Sequence, residues 1–423
     1  MGIFDGKRFF VYGNGVSGRS ACRAVKKHGG KAKVYADIDG AFTPPPDGDY
    51  AAAVISPGVK PTHPVYTYCR ERGIRTVGEA ELGFMLTEAP IVGVTGTNGK
   101  TTVTRLIADM LGGTACGNIG YPITTAAERS DKPLVCELSS FQLYNAHISP
   151  QVAVITNISA DHLNWHGSAE EYCACKCNIA NGMRGGYLVL GGDIPVAALK
   201  TLDTGAEIVR FSTERIVDGA YIHGGYFCFY GRRVCPVDYL RLRGKHNVKN
   251  ALAAIAAAKC MGAENSAILS ALCSADAAPH RIADIGVHGG KRWVDDSKGT
   301  NVSACIAALE ATDGSICLIL GGRGKDLDFS ELFSSSAMSR VCDVVAMGEC
   351  AGEIAASAKA SAFKGNVIET GGLADAVKTA ARSNAEVVLL SPACASFDEF
   401  ENYAQRGERF CALAASVGRS DEK

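Results

Sequence analysis

Eight consecutive residues, Thr95-Gly96-Thr97-Asn98-Gly99-Lys100-Thr101-Thr102, carry the clearest chemistry in this sequence. They follow the apolar run Ile91–Val94 and precede an amphipathic stretch ending at Leu111. Glycine at 96 and 99 lets backbone N–H groups close on phosphate oxygens, and the positive end of a following helix adds to that attraction. Lys100 is placed to bridge β and γ phosphates, and the Thr101 hydroxyl to hold Mg²⁺. The strict pattern has a further glycine where this chain has Val94, so the loop is a variant. Without a ligand it would be only a glycine-rich strand–helix turn, and the Gly-Lys-Thr core makes that reading the weaker one.

A second glycine cluster, Gly13-Asn14-Gly15-Val16-Ser17-Gly18, fits G-x-G-x-x-G after a strand. Asp37 lies about 20 residues on, where a dinucleotide site has its ribose carboxylate. Alone, this would support a nicotinamide-dependent enzyme. Residues 1–89 are too few for a full six-stranded dinucleotide fold. A half-fold holding a single nucleotide diphosphate fits better.

Glu137 ends the run Pro133–Leu138, where a phosphate site needs a metal ligand, although a helix-capping or solvent-facing Glu reads equally well. The loop Thr156–Gly167 then holds Asn157, Asp161, His162, Asn164 and His166, which is dense for a connector. Lys176 follows; a helical lysine in isolation is usually a solvated surface residue. Cys173, Cys175 and Cys177 flank it, but alternate residues of a helix face different ways and no second ligand pair stands at zinc spacing. A structural role is the stronger reading for them.

Short β-branched and aromatic runs alternate with Ala-rich stretches, the βαβα pattern of parallel α/β sheets. Three α/β domains are expected: a Rossmann-like domain at 1–89, a central P-loop domain with a mostly parallel sheet at 90–277, and a second Rossmann-like domain at 278–423. Residues 206–239, with Gly-containing turns between short aromatic strands, read as an antiparallel flap, and a helix is expected at about 247–261. The balance of 43 Lys and Arg against 44 Asp and Glu shows no basic excess, which argues against a nucleic-acid protein. No apolar run is long enough to span a membrane, and the start does not read as a signal peptide. The 17 cysteines, an odd number scattered through core-like segments, fit free thiols in a reducing cytoplasm.

These motifs occur in a recognisable order. GTNGKTT, GNIG (117–120), ELSSFQL (137–143), TNISADHLNWHGS (156–168), GKHNVKN (244–250), APHR (278–281) and DDSKGTN (295–301) resemble the Mur ligase superfamily over essentially the whole chain. GGRGKDLDF (321–329) and SPACASFDEF (391–400), with GNGVSG, are similar to its branch that adds D-glutamate to UDP-N-acetylmuramoyl-L-alanine in peptidoglycan precursor synthesis. The resemblance implies a monomeric cytoplasmic ligase using ATP and two Mg²⁺ ions.

It also implies roles. Lys176 matches a lysine that becomes a carbamate and so an oxygen ligand for Mg²⁺, with Glu137 and His162 as partners and Thr101 on the other ion. Gly96, Thr97, Asn98, Gly99, Lys100, Thr101 and Thr102 would cradle ATP. Asn247, Asn250, Arg281 and Asp296 match further ATP contacts, although the asparagines read equally as helix caps. Val16, Ser17, Asp37, Gly58, Asn118 and His162 match contacts to the UDP-sugar, which reassigns the glycine cluster from nicotinamide to UDP. Lys298, Thr300, Lys325, Ser396, Phe397 and Tyr403 match D-glutamate positions, and two carboxylates in a closed site call for such cations and donors.

The implied reaction has two steps: ATP phosphorylates a carboxylate, then an amine displaces phosphate. Alignment and charge neutralisation by Lys100, Arg281 and the metal ions would carry the first step, with closure of the third domain completing the site. His162 is either a metal or sugar contact or a general base. A sister ligase acting on another amino acid or on folate, and a non-catalytic or dehydrogenase-like nucleotide binder, are the competing classes.

Overall fold

The structure, a computed structural model, describes residues 2–144, 146–159, 161–192, 194, 202–242, 244–276, 279–324 and 328–417. They form two compact units. The first holds residues 1–241 and 247–275, the second residues 242–246 and 276–423. The expected boundary at 277–278 lies outside the described residues.

The first unit contains two sheets. β1 (Arg8–Tyr12), β2 (Lys31–Tyr35), β3 (Ala52–Ile55) and β4 (Thr76–Val77) form an all-parallel sheet in the order β2-β1-β3-β4. Successive side chains of a strand face opposite ways. Phe9 and Val11 therefore pack with Ala21 and Val25 of the helix Val16–Lys27, while Phe10 and Tyr12 pack with Val65 and Tyr68 of the helix Pro64–Glu71. Burial on both faces explains why β1 and β3 read as apolar runs without alternation.

The second sheet comprises β5 (Ile91–Thr95), β6 (Thr114–Gly117), β7 (Leu134–Glu137), β8 (Val152–Ile155), β9 (Tyr187–Gly191), β10 (Glu207–Ser212), β11 (Gly219–His223), β12 (Tyr226–Phe229) and β13 (Arg232–Pro236). Its order is β13-β12-β11-β10-β9-β8-β5-β7-β6. The expected antiparallel flap holds only for β11 to β13. β10 pairs parallel with both β9 and β11, so the run EIVRF extends the parallel sheet instead. Its half-buried alternation, with Val209 and Phe211 inward, does not itself choose a pairing direction. The helix expected at 247–261 runs Lys245–Cys260.

The second unit has one six-stranded sheet. β14 (Ala283–His288) and β15 (Lys291–Asp295) form an antiparallel hairpin, and β16 (Ile316–Gly321), β17 (Val341–Met347), β18 (Asn366–Thr370) and β19 (Val387–Leu390) continue in parallel, in the order β14-β15-β19-β16-β17-β18. Leu318, Leu320 and Val344 face one apolar layer, and Ile319, Val345 and Leu390 the other. No helix among the described residues is long and apolar enough to cross a membrane.

Candidate functional site

β5 delivers its last residue, Thr95, to the glycine loop. Gly96 and Gly99 have φ of +143° and +83°, and both are crowded: an added Cβ would lie 1.9 Å from Thr156 Oγ1 and 2.2 Å from Asn250 Oδ1. Only glycine meets both demands. The segment after β8 braces the loop from outside. Thr97 N donates to the Asn157 carbonyl and Asn98 N to Asn157 Oδ1, both at 2.9 Å, while Thr156 Oγ1 donates to the Asn98 carbonyl. Lys100 Nζ lies over the loop and donates to the carbonyls of Gly96 and Thr97 at 2.9 and 2.8 Å. Thr101 and Thr102 stand in the first turn of the helix Lys100–Leu111, whose N-terminal end adjoins the loop. Asn250 Nδ2 donates to Asn247 Oδ1, so the two asparagines form one contact beside Gly99.

Glu137 is the meeting point. Parallel register sets it beside Val94 of β5 and Gly117 of β6. Its carboxylate, almost fully buried, accepts from Thr101 Oγ1 at 2.6 Å and from Asn118 Nδ2 at 3.0 Å. A carboxylate and a hydroxyl are the hard oxygen donors that Mg²⁺ takes, so these residues fit such an ion.

Lys176, on the helix Ala169–Cys177, is 1% exposed. Its Nζ donates to the Gly96 carbonyl at 2.7 Å and lies 4.5 Å from the centre of the Tyr172 ring. Burial, with the nearby Lys100 charge, holds its amine well below the ordinary lysine range, against the opposing pull of Asp161, Cys175 and Cys173. A neutral amine is the form that combines with carbon dioxide. The lysine that reads as unremarkable in isolation is thus hydrogen-bonded to the loop. Cys175 and Cys177 are buried beside it and Cys173 is partly so.

His162 takes a left-handed backbone conformation, φ +54°, held by its N–H donating to Asp161 Oδ1. Its ring packs on Phe141, centroids 4.9 Å apart, and faces Tyr172 at 6.4 Å. Tyr172 in turn shares a hydrogen bond with Thr97 Oγ1. His162 is thereby tied to the loop through Tyr172.

Of the six residues expected at the nucleotide sugar, Val16, Ser17, Gly58 and Asn118 line one cleft of about 510 Å³. It lies past the ends of β1, β3 and β6, which is where parallel sheets bind ligands. Gly18 lets the helix Val16–Lys27 approach: its Cβ would fall 2.0 Å from the Gly13 carbonyl oxygen. Asp37 is not part of that lining. Its carboxylate accepts from Tyr12 Oη at 2.5 Å and lies 3.1 Å from His63 Nε2, and the Tyr12 hydrogen bond holds it below the usual range. His63 was not foreseen, because nothing in its spacing marks it. The sixth, His162, belongs to the loop cluster above.

In the second unit, Asp296 is fully buried. It accepts from Ser391 Oγ at 2.7 Å and from Ile282 N at 3.2 Å, with Arg281 Nη1 at 3.9 Å. Burial pushes its carboxyl up to about 6 against the pull of Arg281. Lys298 Nζ lies 5.5 Å from the Tyr403 ring centre, so two of the expected D-glutamate residues meet. Thr300 precedes the helix Val302–Ala311, Ser396 is buried and Phe397 is largely exposed. Lys325 lies outside the described residues.

Arg406 was missed. It is 1% exposed and donates from Nε to Ser297 Oγ and from Nη2 to the carbonyls of Ser297 and Cys394. Ser297 Oγ donates on to the Tyr403 carbonyl. Arg406 thus clamps the two segments that carry Lys298 and Ser396. In sequence it is one more helical arginine. His166, one of the polar residues crowding the 156–167 segment, is buried against Ser140 Oγ, and burial pushes its imidazole down to about 4.

Residues 94–258 match the Mur ligase middle domain family. The chain is 37% identical over 454 residues to UDP-N-acetylmuramoylalanine–D-glutamate ligase of Pelotomaculum thermopropionicum, covering 98% of each chain, and 36% identical over 448 residues to the enzyme of that name in Streptococcus pneumoniae, again covering 98% of each. The chain belongs to the UDP-N-acetylmuramoylalanine–D-glutamate ligase family. The fold of this Mur ligase also matches the MurF ligase of Thermotoga maritima solved in complex with ADP, with TM-score 0.60 at 16% identity, over 99% of this chain and 96% of that one. The α/β architecture expected from the βαβα pattern is therefore that of the Mur ligases.

Proposed function

We propose that the chain joins D-glutamate to the terminal carboxylate of UDP-N-acetylmuramoyl-L-alanine, with conversion of ATP to ADP and phosphate. The observation that carries this is the hydrogen-bonded sequence Thr101–Glu137–Asn118. Thr101 belongs to the phosphate loop and Asn118 lines the cleft past β1 and β3, so a single buried carboxylate joins the two. A carboxylate presented from the cleft would meet a phosphoryl group held by the loop. Family membership supports the same assignment.

In this reading the γ-phosphoryl passes to the substrate carboxylate, giving an acyl phosphate and ADP. The amine of D-glutamate then attacks the acyl carbon, and phosphate leaves with the proton balance closed by solvent or a nearby base. Phosphoryl transfer needs alignment and neutralised charge more than covalent help. Lys100 supplies the cation, and the loop N–H groups the cradle. Thr101, Glu137, His162 and a carbamate on Lys176 would hold Mg²⁺, which supplies charge neutralisation at the transferring group. Asn247, Asn250, Arg281 and Asp296 are assigned to ATP. Val16, Ser17, Asp37, Gly58, Asn118 and His162 are assigned to the UDP-sugar, with Asp37 acting through Tyr12 and His63. Lys298, Thr300, Lys325, Ser396, Phe397 and Tyr403 are assigned to D-glutamate. The domain division at 89 and 277, the cytoplasmic location and the monomeric state belong to the same proposal.

Phosphate release by the purified chain tests it. With ATP, Mg²⁺ and UDP-N-acetylmuramoyl-L-alanine, D-glutamate is expected to start turnover, and L-glutamate, L-lysine or meso-diaminopimelate to leave it near background. Turnover with another amino acid, or with a folate in place of the nucleotide sugar, would replace this reading by that of a sister ligase.

A further inference from the structure

His280, Asp295 and Cys411 carry none of the roles assigned above, yet they converge in the second unit. Asp295 ends β15 and is buried, with Oδ2 2.6 Å from His280 Nδ1 and accepting from Cys411 Sγ at 3.5 Å. One ligand atom from each residue lies within 4.8 Å of the other two. Around a tetrahedral zinc ion, with Zn–S of about 2.3 Å and Zn–O of about 2.0 Å, sulfur and oxygen stand about 3.5 Å apart. That is the Cys411–Asp295 separation found here. The nitrogen–oxygen spacing would open from a hydrogen bond to about 3.3 Å.

The surroundings are arranged for such an approach. Gly407 and Cys411 are one turn apart on the helix Tyr403–Ser416 and so share a face. A Cβ at Gly407 would lie 2.2 Å from His280 Nδ1; its absence admits the imidazole onto the helix. The second oxygen of Asp295 accepts from Ser297 N at 2.9 Å, which fixes the carboxylate as an outer-shell partner fixes a ligand. His280 is anchored as well, its carbonyl accepting from Lys298 N at 3.0 Å. His280 and Cys411 are partly exposed, leaving a path for an ion and a fourth, water ligand.

We propose that His280 Nδ1, the Asp295 carboxylate and the Cys411 sulfur form a binding site for a thiophilic divalent cation of the zinc class. A thiolate and an imidazole select such ions over Mg²⁺ or Ca²⁺, which take oxygen. The bound ion ties the helix Tyr403–Ser416 to the end of β15, beside Asp296, and stabilises the fold by mass action.

The test uses the full chain, stripped with a chelator and then titrated with Co²⁺ and, separately, Zn²⁺. Co²⁺ is expected to give a thiolate-to-cobalt charge-transfer absorption, and Zn²⁺ to raise the thermal midpoint by several degrees. Cys411→Ala and Cys411→Ser should each remove the charge-transfer band and the thermal shift. Both should weaken Zn²⁺ binding in equilibrium dialysis at least about tenfold, and leave turnover with Mg²⁺ in the presence of a zinc chelator unchanged. The remaining cysteines serve as an internal control. If either folded variant keeps the band and the zinc stoichiometry of the parent chain, or the parent chain binds neither ion, the assignment is wrong.

Discussion

Lys176 Nζ donates to the carbonyl of Gly96 at 2.7 Å, so the amine proposed to become a carbamate is hydrogen-bonded to the first glycine of the phosphate loop. Its burial favours the neutral, reactive amine. Lys176→Ala is expected to lower the rate of phosphate release about 100-fold or more, the scale of losing several kcal/mol of metal-borne stabilisation. Short carboxylic acids such as acetate should restore part of it by occupying the vacated space. Chain equilibrated with ¹³C-bicarbonate should show a carbamate carbonyl resonance that the variant lacks. Full activity without Lys176 would remove the carbamate from the mechanism.

Two glycines of the N-terminal cluster, Gly15 and Gly18, predict opposite failures. Gly18→Ala puts a methyl group 2.0 Å from the backbone oxygen of Gly13, so the helix Val16–Lys27 must shift. A loss of about 1–3 kcal/mol in urea unfolding is expected, the usual scale of overpacking. Gly15 has no atom within 4 Å of its Cβ position and lines the cleft. Gly15→Ala should leave the unfolding midpoint in place and raise KM for the nucleotide sugar. A stability loss at Gly15 equal to that at Gly18 would contradict the cleft assignment.

The phosphate loop was legible in the sequence because its chemistry is local: Gly96, Gly99, Lys100 and Thr101 are fixed by backbone geometry within one turn. Glu137 was half legible, since a strand end can be read but the register that brings it to Val94 and Gly117 cannot. Lys176 and Arg406 were illegible as buried groups, because their helices place them against Gly96 and Ser297, far away in the chain. The Tyr12–Asp37–His63 cluster was hidden likewise, with Asp37 found by spacing and His63 by nothing. The antiparallel reading of β10 fails for the same reason: alternation reports which face is buried, and pairing direction is a long-range fact.

Asp296 gives a pH signature in stability. Its folded carboxyl stands at about 6 against 3.8 for the ordinary group. Between those values the folded chain holds a proton that the unfolded chain has released, so stability falls as pH rises. Its contribution is fully present below the ordinary value and lost as pH passes through about 6. Chemical denaturation of parent and Asp296→Asn at pH 4 and pH 7 should show the parent losing on the order of 2–3 kcal/mol more than the variant. Equal losses in the two chains would show that the buried carboxyl is not the titrating group.

Arg406 is expected to act on D-glutamate only through the segments it holds. Replacing it with Met leaves the carbonyls of Ser297 and Cys394 without this donor inside the second unit. Unsatisfied buried acceptors cost about 1–3 kcal/mol each, so Arg406→Met should lose about 3 kcal/mol in urea unfolding. Arg406→Lys should recover little, because a single ammonium cannot reproduce the planar fork that reaches Ser297 and Cys394 together. In whatever fraction folds, KM for D-glutamate should rise while KM for the nucleotide sugar stays put, since that cleft is built by other residues. Equal rises in both would mean that Arg406 supports the whole fold and not the Lys298 and Ser396 segments in particular.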